Sequence, residues 1–167
     1  MMMPAMVTLM VAVHAWAPAE AKALSLSALV FMALLAGITS SLHFVILTLS
    51  GQAAFNEVSH FFSFGWPSIP HALDILAWDV FFALSMLFAA PVFAGSWLTV
   101  AIRILMTASG TLALAGLSGV LVGDMRLRNI GIVGYVGGFF VVASLLAVLF
   151  YRTEVVAANA RSASQAV

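Results

Sequence analysis

Four stretches of the chain, residues 24–50, 69–93, 97–122 and 129–151, stay apolar for the width of a bilayer, and the polar residues gather between them. About 20 residues at 1.5 Å rise cross a hydrocarbon core about 30 Å thick. Lipid offers the backbone no hydrogen-bond partner, so single apolar runs of this kind have to be helices. The pattern predicts an all-α integral membrane helical bundle with four transmembrane helices, one domain over residues 1–167, with a polar C-terminal tail at residues 152–167. Pro91 falls near the end of the second span, where a helix stops or kinks with few hydrogen bonds lost.

The N-terminal run, residues 5–17, is apolar but about 13 residues long, short of the roughly 17 that a span requires. It predicts a short apolar helix that lies in the interface or completes another helix. Ala17-Pro18-Ala19 and Ala19-Glu20-Ala21 look like cleavage sites of a secretory signal, but no Lys or Arg precedes the run, which argues against that reading. Three opening methionines followed directly by Pro4 suggest a chain that starts late, with an upstream segment missing.

Composition agrees with the pattern: 64% of residues are hydrophobic, 7% are charged and the mean hydropathy is +1.17, far outside the range of soluble globular domains. The bilayer is therefore the first expected partner. Six basic and six acidic residues give a formal net charge of zero without a basic run, so nucleic acid and polybasic lipid recognition are set aside. Cysteine is absent, which removes thiol catalysis, disulfide exchange, thiolate metal sites and covalent c-type haem. Lys22, Arg152 and Arg161 fall on one side of the spans and Arg126 and Arg128 on the other, with Arg103 entering its helix from the first side. Basic residues collect on the cytoplasmic side, so the Lys22 side and the C-terminus are expected there.

Asp74 and Asp79 lie within the second span. Charged groups near the bilayer centre cost roughly 2.5–3.5 kcal/mol each on insertion scales and usually mark a function or a partner. Counted from the outer ends of their helices, His43, Asp74 and Tyr135 all sit about 10 Å deep. His71, Asp74 and Trp78 are three and four residues apart and share a helical face. His43, Asp74, Trp78 and Tyr135 are therefore the predicted ligand-binding residues, with Asp74 the candidate acid or base if the site is catalytic. An Asp74–His43 pair would respond to protons; a histidine bonded to a backbone carbonyl, or to Thr39, Ser40 or Ser41, is the plainer expectation for His43. Asp79, five residues beyond Asp74, turns away from it on an α-helix. Its depth of about 16–18 Å matches that of Arg103, so Asp79 and Arg103 are expected to form a structural ion pair. His43 and His71 differ in depth and lack the spacing of a metal motif, so no haem, metal or other cofactor is predicted.

The loop at residues 51–67 carries Phe55, His60, Phe61, Phe62, Phe64 and Trp66, and such rings settle at headgroup depth. An interfacial anchor is expected, with a lid as the alternative. Thr107, Thr111, Ala115, Gly119 and Gly123 recur every four residues, and Gly134 and Gly138 repeat the device. Small residues let helices approach closely in lipid, so these Gly-rich helices are expected to pack, within the chain or against an oligomer or partner.

The segments Ala72-Leu73-Asp74-Ile75-Leu76-Ala77-Trp78-Asp79, Leu87-Phe88-Ala89-Ala90-Pro91-Val92-Phe93, Gly123-Asp124-Met125 and Arg128-Asn129-Ile130-Gly131 are similar to uncharacterised bacterial multi-pass membrane proteins. The resemblance covers most of the chain, implies a bacterial inner-membrane location and transfers no catalytic role. In that family one more hydrophobic segment often precedes the stretch seen here at residues 6–14. Three classes of function follow: a protein that binds a lipophilic small molecule in an outer-leaflet pocket, a membrane-embedded enzyme using Asp74 on an isoprenoid or lipid, and a structural subunit of a membrane complex. An open cavity between His43 and Asp74 favours the first two, and a filled polar cluster the third.

Overall fold

The computed structural model describes residues 2–165, apart from the side chains of Ser59, Phe61, Phe62 and those from Val155 onward. The Arg161 side chain and the last two residues of the predicted polar tail thus lie outside what is described. Helix α1 is Met3–Trp16, and the four long apolar helices are α2 (Ala19–Leu49), α3 (Ile69–Val92), α4 (Trp97–Val122) and α5 (Met125–Glu154), the last continuing as helix to Gln165. No strand occurs among the described residues. The chain is therefore an all-α bundle with four helices long and apolar enough to span a membrane.

Local chemistry sets the helix starts. Ser68 accepts a hydrogen bond from the His71 amide at 3.2 Å, with Pro70 in the first turn, and Ser96 accepts one from the Thr99 amide at 3.3 Å; both satisfy amides that a helix leaves unpaired. Gly123 closes α4 with φ 73°, a left-handed conformation that glycine adopts without a side-chain penalty. Pro91 sits in a tight turn at the end of α3, as its position predicts.

Helix α3 is the centre of the bundle: 56% of its apolar window is buried, against 22–33% for the other three. A helix apolar on all sides belongs inside, and Phe82, Ala83, Ser85, Met86 and Ala89 are all buried there. Its neighbours are α2 and α4, and α5 reaches it through side chains. Two buried hydroxyls join helices: Ser85 donates to the Ala28 carbonyl at 2.8 Å and Ser109 to the Gly134 carbonyl at 2.5 Å. Helix α1 packs along α2 through Met6, Met10 and Val13. Lys22 donates to the His14 and Ala15 carbonyls at its C-terminus, and Trp16 stacks on Phe93 at 5.2 Å. The short apolar N-terminal helix thus completes the bundle instead of standing apart.

The tight helix contacts use a different set of small residues from the four-residue stripe. Thr107, Thr111, Ala115 and Gly123 are exposed. The close approach instead joins Ser109, Ala113 and Gly116 of α4 to Gly131, Gly134 and Gly138 of α5; a Cβ on Gly134 would stand 2.6 Å from the Ser109 carbonyl. Of the predicted devices, the Gly134/Gly138 pair packs within this chain, whereas most of the threonine-led stripe faces outward.

Candidate functional site

The polar centre forms where α5 begins beside α3. Arg128 donates from Nη2 to Asp74 Oδ2 at 2.7 Å and from Nε to Asp79 Oδ2 at 2.9 Å, and its Nη1 lies 2.9 Å from His71 Nε2. An arginine nitrogen can only donate, so His71 accepts through Nε2. The Asp79 side chain is fully buried, while 19% of the Asp74 side chain is exposed.

The expected Asp79–Arg103 pair does not form. Arg103 is exposed, and the partner of Asp79 is Arg128. The two carboxylates, expected to turn away from each other, share one guanidinium. The reason is a wide π-helical turn over Leu76–Phe81: its hydrogen bonds reach five residues back instead of four, so it carries Asp79 round toward the side of Asp74. A second wide turn, Val133–Gly138, lies opposite on α5 and contains Tyr135. Single π turns inside helices frequently occur at functional sites.

Glycine makes room for the buried acid. A Cβ on Gly131 would come 2.8 Å from Asp79 Oδ1, and one on Gly116 would come 3.3 Å from it. Oδ1 itself has no hydrogen-bond partner among the described residues.

Beside this cluster a cavity of about 1310 Å³ opens between the start of α1 (residues 2–4), the C-terminal half of α2 and the first half of α3, at the end of the bundle away from Lys22. His43, Asp74 and Trp78 line it together with Thr39, Phe44 and Phe64. Tyr135 lies behind the wall, its ring 5.1 Å from Trp78 and 6.0 Å from Phe82. His43 donates through Nδ1 to the Thr39 carbonyl at 2.8 Å. Asp74 is paired with Arg128 instead of His43. The Thr39 hydroxyl is buried without a hydrogen-bond partner among the described residues. The aromatic loop bends over this end: Phe64 lies 5.6 Å from the His43 ring and Trp66 5.9 Å, edge-on, from His71. A narrower apolar groove of about 480 Å³ between α2 and α3, walled by Leu34, Ile38, Leu42 and Leu73, shares Ser41 and Val45 with the cavity.

Sequence reasoning passed over Arg128, reading it as a loop cation, and over His71 once metal sites were set aside. One signal was available. Two acids within one span require a base, and Arg128 sits three residues before Gly131 on the helix whose small residues permit close packing. Comparison with protein-family models, curated proteins and solved structures finds no match. The chain is a multi-pass helical membrane protein by its own architecture.

Proposed function

We propose that this protein binds a lipophilic small molecule in the cavity between α2 and α3, at the level of the outer leaflet. The observation that carries the reading is a cavity of about 1310 Å³ beside a buried ion cluster, with His43, Asp74 and Trp78 in its wall. Ligand sites are concave and largely apolar, with a few convergent polar groups, and charges within a membrane bundle are retained where they serve a pathway or a ligand. A purely structural subunit has no use for an opening at its most expensive polar cluster. The enzyme reading relies on Asp74 as acid or base, yet Asp74 Oδ2 is already engaged by Arg128, which suits a group that holds charge in place.

The outer-leaflet assignment rests on the basic residues. With Arg128 enclosed in the cluster, Arg126 remains on the cavity side, whereas Lys22, Arg103 and Arg152 belong to the opposite one; the excess marks the cytoplasmic face.

Mass spectrometry of small molecules and lipids extracted from the purified protein tests the reading. A discrete amphiphile enriched over the bulk membrane lipids is expected, and Ser40→Trp, which places a bulky ring in the cavity wall, should lower the enrichment. Identical extracts from wild type and Ser40→Trp would overturn it. Conversion of the bound molecule, lost in Asp74→Asn, would establish the enzyme reading instead.

A further inference from the structure

We infer that the cavity takes a lipophilic cation, a protonated amine on an apolar chain, whose ammonium pairs with Asp74 and whose chain lies along α2. The inference rests on the ligand cavity proposed above and names the chemistry of its occupant.

Charge balance is the first argument. Asp74 and Asp79 share one guanidinium, and His71 takes another of its N–H groups as an acceptor and so adds no charge. Among the described residues no other Lys or Arg forms an ion pair with either carboxylate. Two carboxylates against one guanidinium leave an excess of one negative charge inside a membrane bundle, a state that is costly until a cation or a proton compensates it. Asp79 is sealed, whereas Asp74 lines the cavity. A cation that compensates it thus has access to Asp74 and not to Asp79.

The second argument is the hydrogen-bonding character of the wall. His43 spends its Nδ1 proton on the Thr39 carbonyl, so the neutral ring offers Nε2 as an acceptor. The Asp74 carboxylate adds a second acceptor, and the Thr39 hydroxyl, buried and without a partner among the described residues, serves as donor or acceptor. Against these stand the Trp78 indole and the first amides of α1 at Met2 and Met3, which have no acceptor within their helix; the serine hydroxyls serve either way. Asp74 alone among the lining residues carries a fixed charge, so a cation suits this wall and an anion does not.

The third argument is the remaining surface. Trp78, Phe44 and Phe64 present aromatic rings beside Asp74, and aromatic faces attract cations. From Ser41 and Val45 the apolar groove between α2 and α3 continues the cavity without a charged residue, as an alkyl chain requires.

Binding of dodecylamine, dodecanol and dodecanoic acid to the purified full chain in neutral detergent at pH 7, followed by thermal shift and by tryptophan fluorescence, tests the inference. Dodecylamine should bind at least about tenfold more tightly than dodecanol, a difference of about 1.4 kcal/mol, and dodecanoic acid more weakly than either. Asp74→Asn should bring the amine and the alcohol to equal affinity. Equal affinity of amine and alcohol for the wild type would overturn the cation while leaving the cavity intact; no binding of any of the three would overturn the cavity itself. The wild-type comparison decides even if Asp74→Asn does not fold. Competition by phosphatidylethanolamine but not phosphatidylcholine would support a lipid headgroup as the source of the ammonium, and dodecylamine binding unaffected by both lipids would support a free amine.

Discussion

Arg128 holds together three side chains that have no reason to be in lipid without it. Removing one partner of a buried pair leaves an uncompensated charge and costs about 3–5 kcal/mol, and Arg128→Ala strands two carboxylates at once. Thermal unfolding in detergent should show a loss of at least that size, whereas Arg103→Ala, at an exposed position, should stay within about 0.5 kcal/mol. Asp74→Asn should cost less than Arg128→Ala, because it leaves a one-to-one pair between Arg128 and Asp79. A double-mutant cycle between Asp79 and Arg128 should show strong coupling, and one between Asp79 and Arg103 none. The glycines provide a second contrast at this scale. Gly131→Ala places a methyl 2.8 Å from Asp79 Oδ1 and should destabilise by about 1–3 kcal/mol through overpacking. Gly137→Ala meets no atom within 4 Å and should be neutral or stabilising by up to about 1 kcal/mol through helix propensity.

At the scale of the elements, the π turn of α3 behaves as an α-helix with one residue inserted. Deleting Leu76, at the turn's outer edge and 38% exposed, lets the turn relax to α geometry. It leaves Asp74 and Asp79 four positions apart, on one face. The rest of α3 keeps its packing. Deleting Leu84 from the regular helix instead rotates all that follows by about 100° and takes Met86 and Ala89 out of the core. The Leu76 deletion should therefore retain a cooperative melt close to that of the wild type, and the Leu84 deletion should not. A reversed order of stability would show that the wide turn does not set the meeting of the acids.

For the whole molecule, the helix order places the loop at residues 51–67 and the α4–α5 turn at one end, with the α1–α2 and α3–α4 turns at the other. The absence of cysteine gives a silent background for labelling. Cysteine introduced at Gly51 or Gln52 should react with an impermeant thiol reagent from outside intact cells, and cysteine at Ala94 only after permeabilisation. The opposite result would invert the orientation and place the cavity in the inner leaflet. The exposed Thr107, Thr111 and Ala115 of α4 belong to this scale too, since only a surrounding surface, lipid or protein, can cover them.

The spans, their helical nature and the membrane as solvent were legible in the sequence, because apolar length and backbone satisfaction depend on consecutive residues and the solvent alone. Depth counting also drew attention to His43 and Asp74, and the shared helical face to Trp78, and these three line one cavity, while Tyr135, of matching depth, stands behind its wall. The partner of Asp79 was not legible. Angular position on a helix accumulates residue by residue, so one wide turn at Leu76–Phe81 undoes a face assignment that is sound for an unbroken α-helix. Nor does depth alone choose between Arg103 and Arg128: a long arginine side chain reaches along its helix, and which of the two turns inward depends on how α4 and α5 pack. That choice was made by Gly116, Gly131 and Gly134, whose missing side chains draw α5 against α4 and bring Arg128 over the two acids.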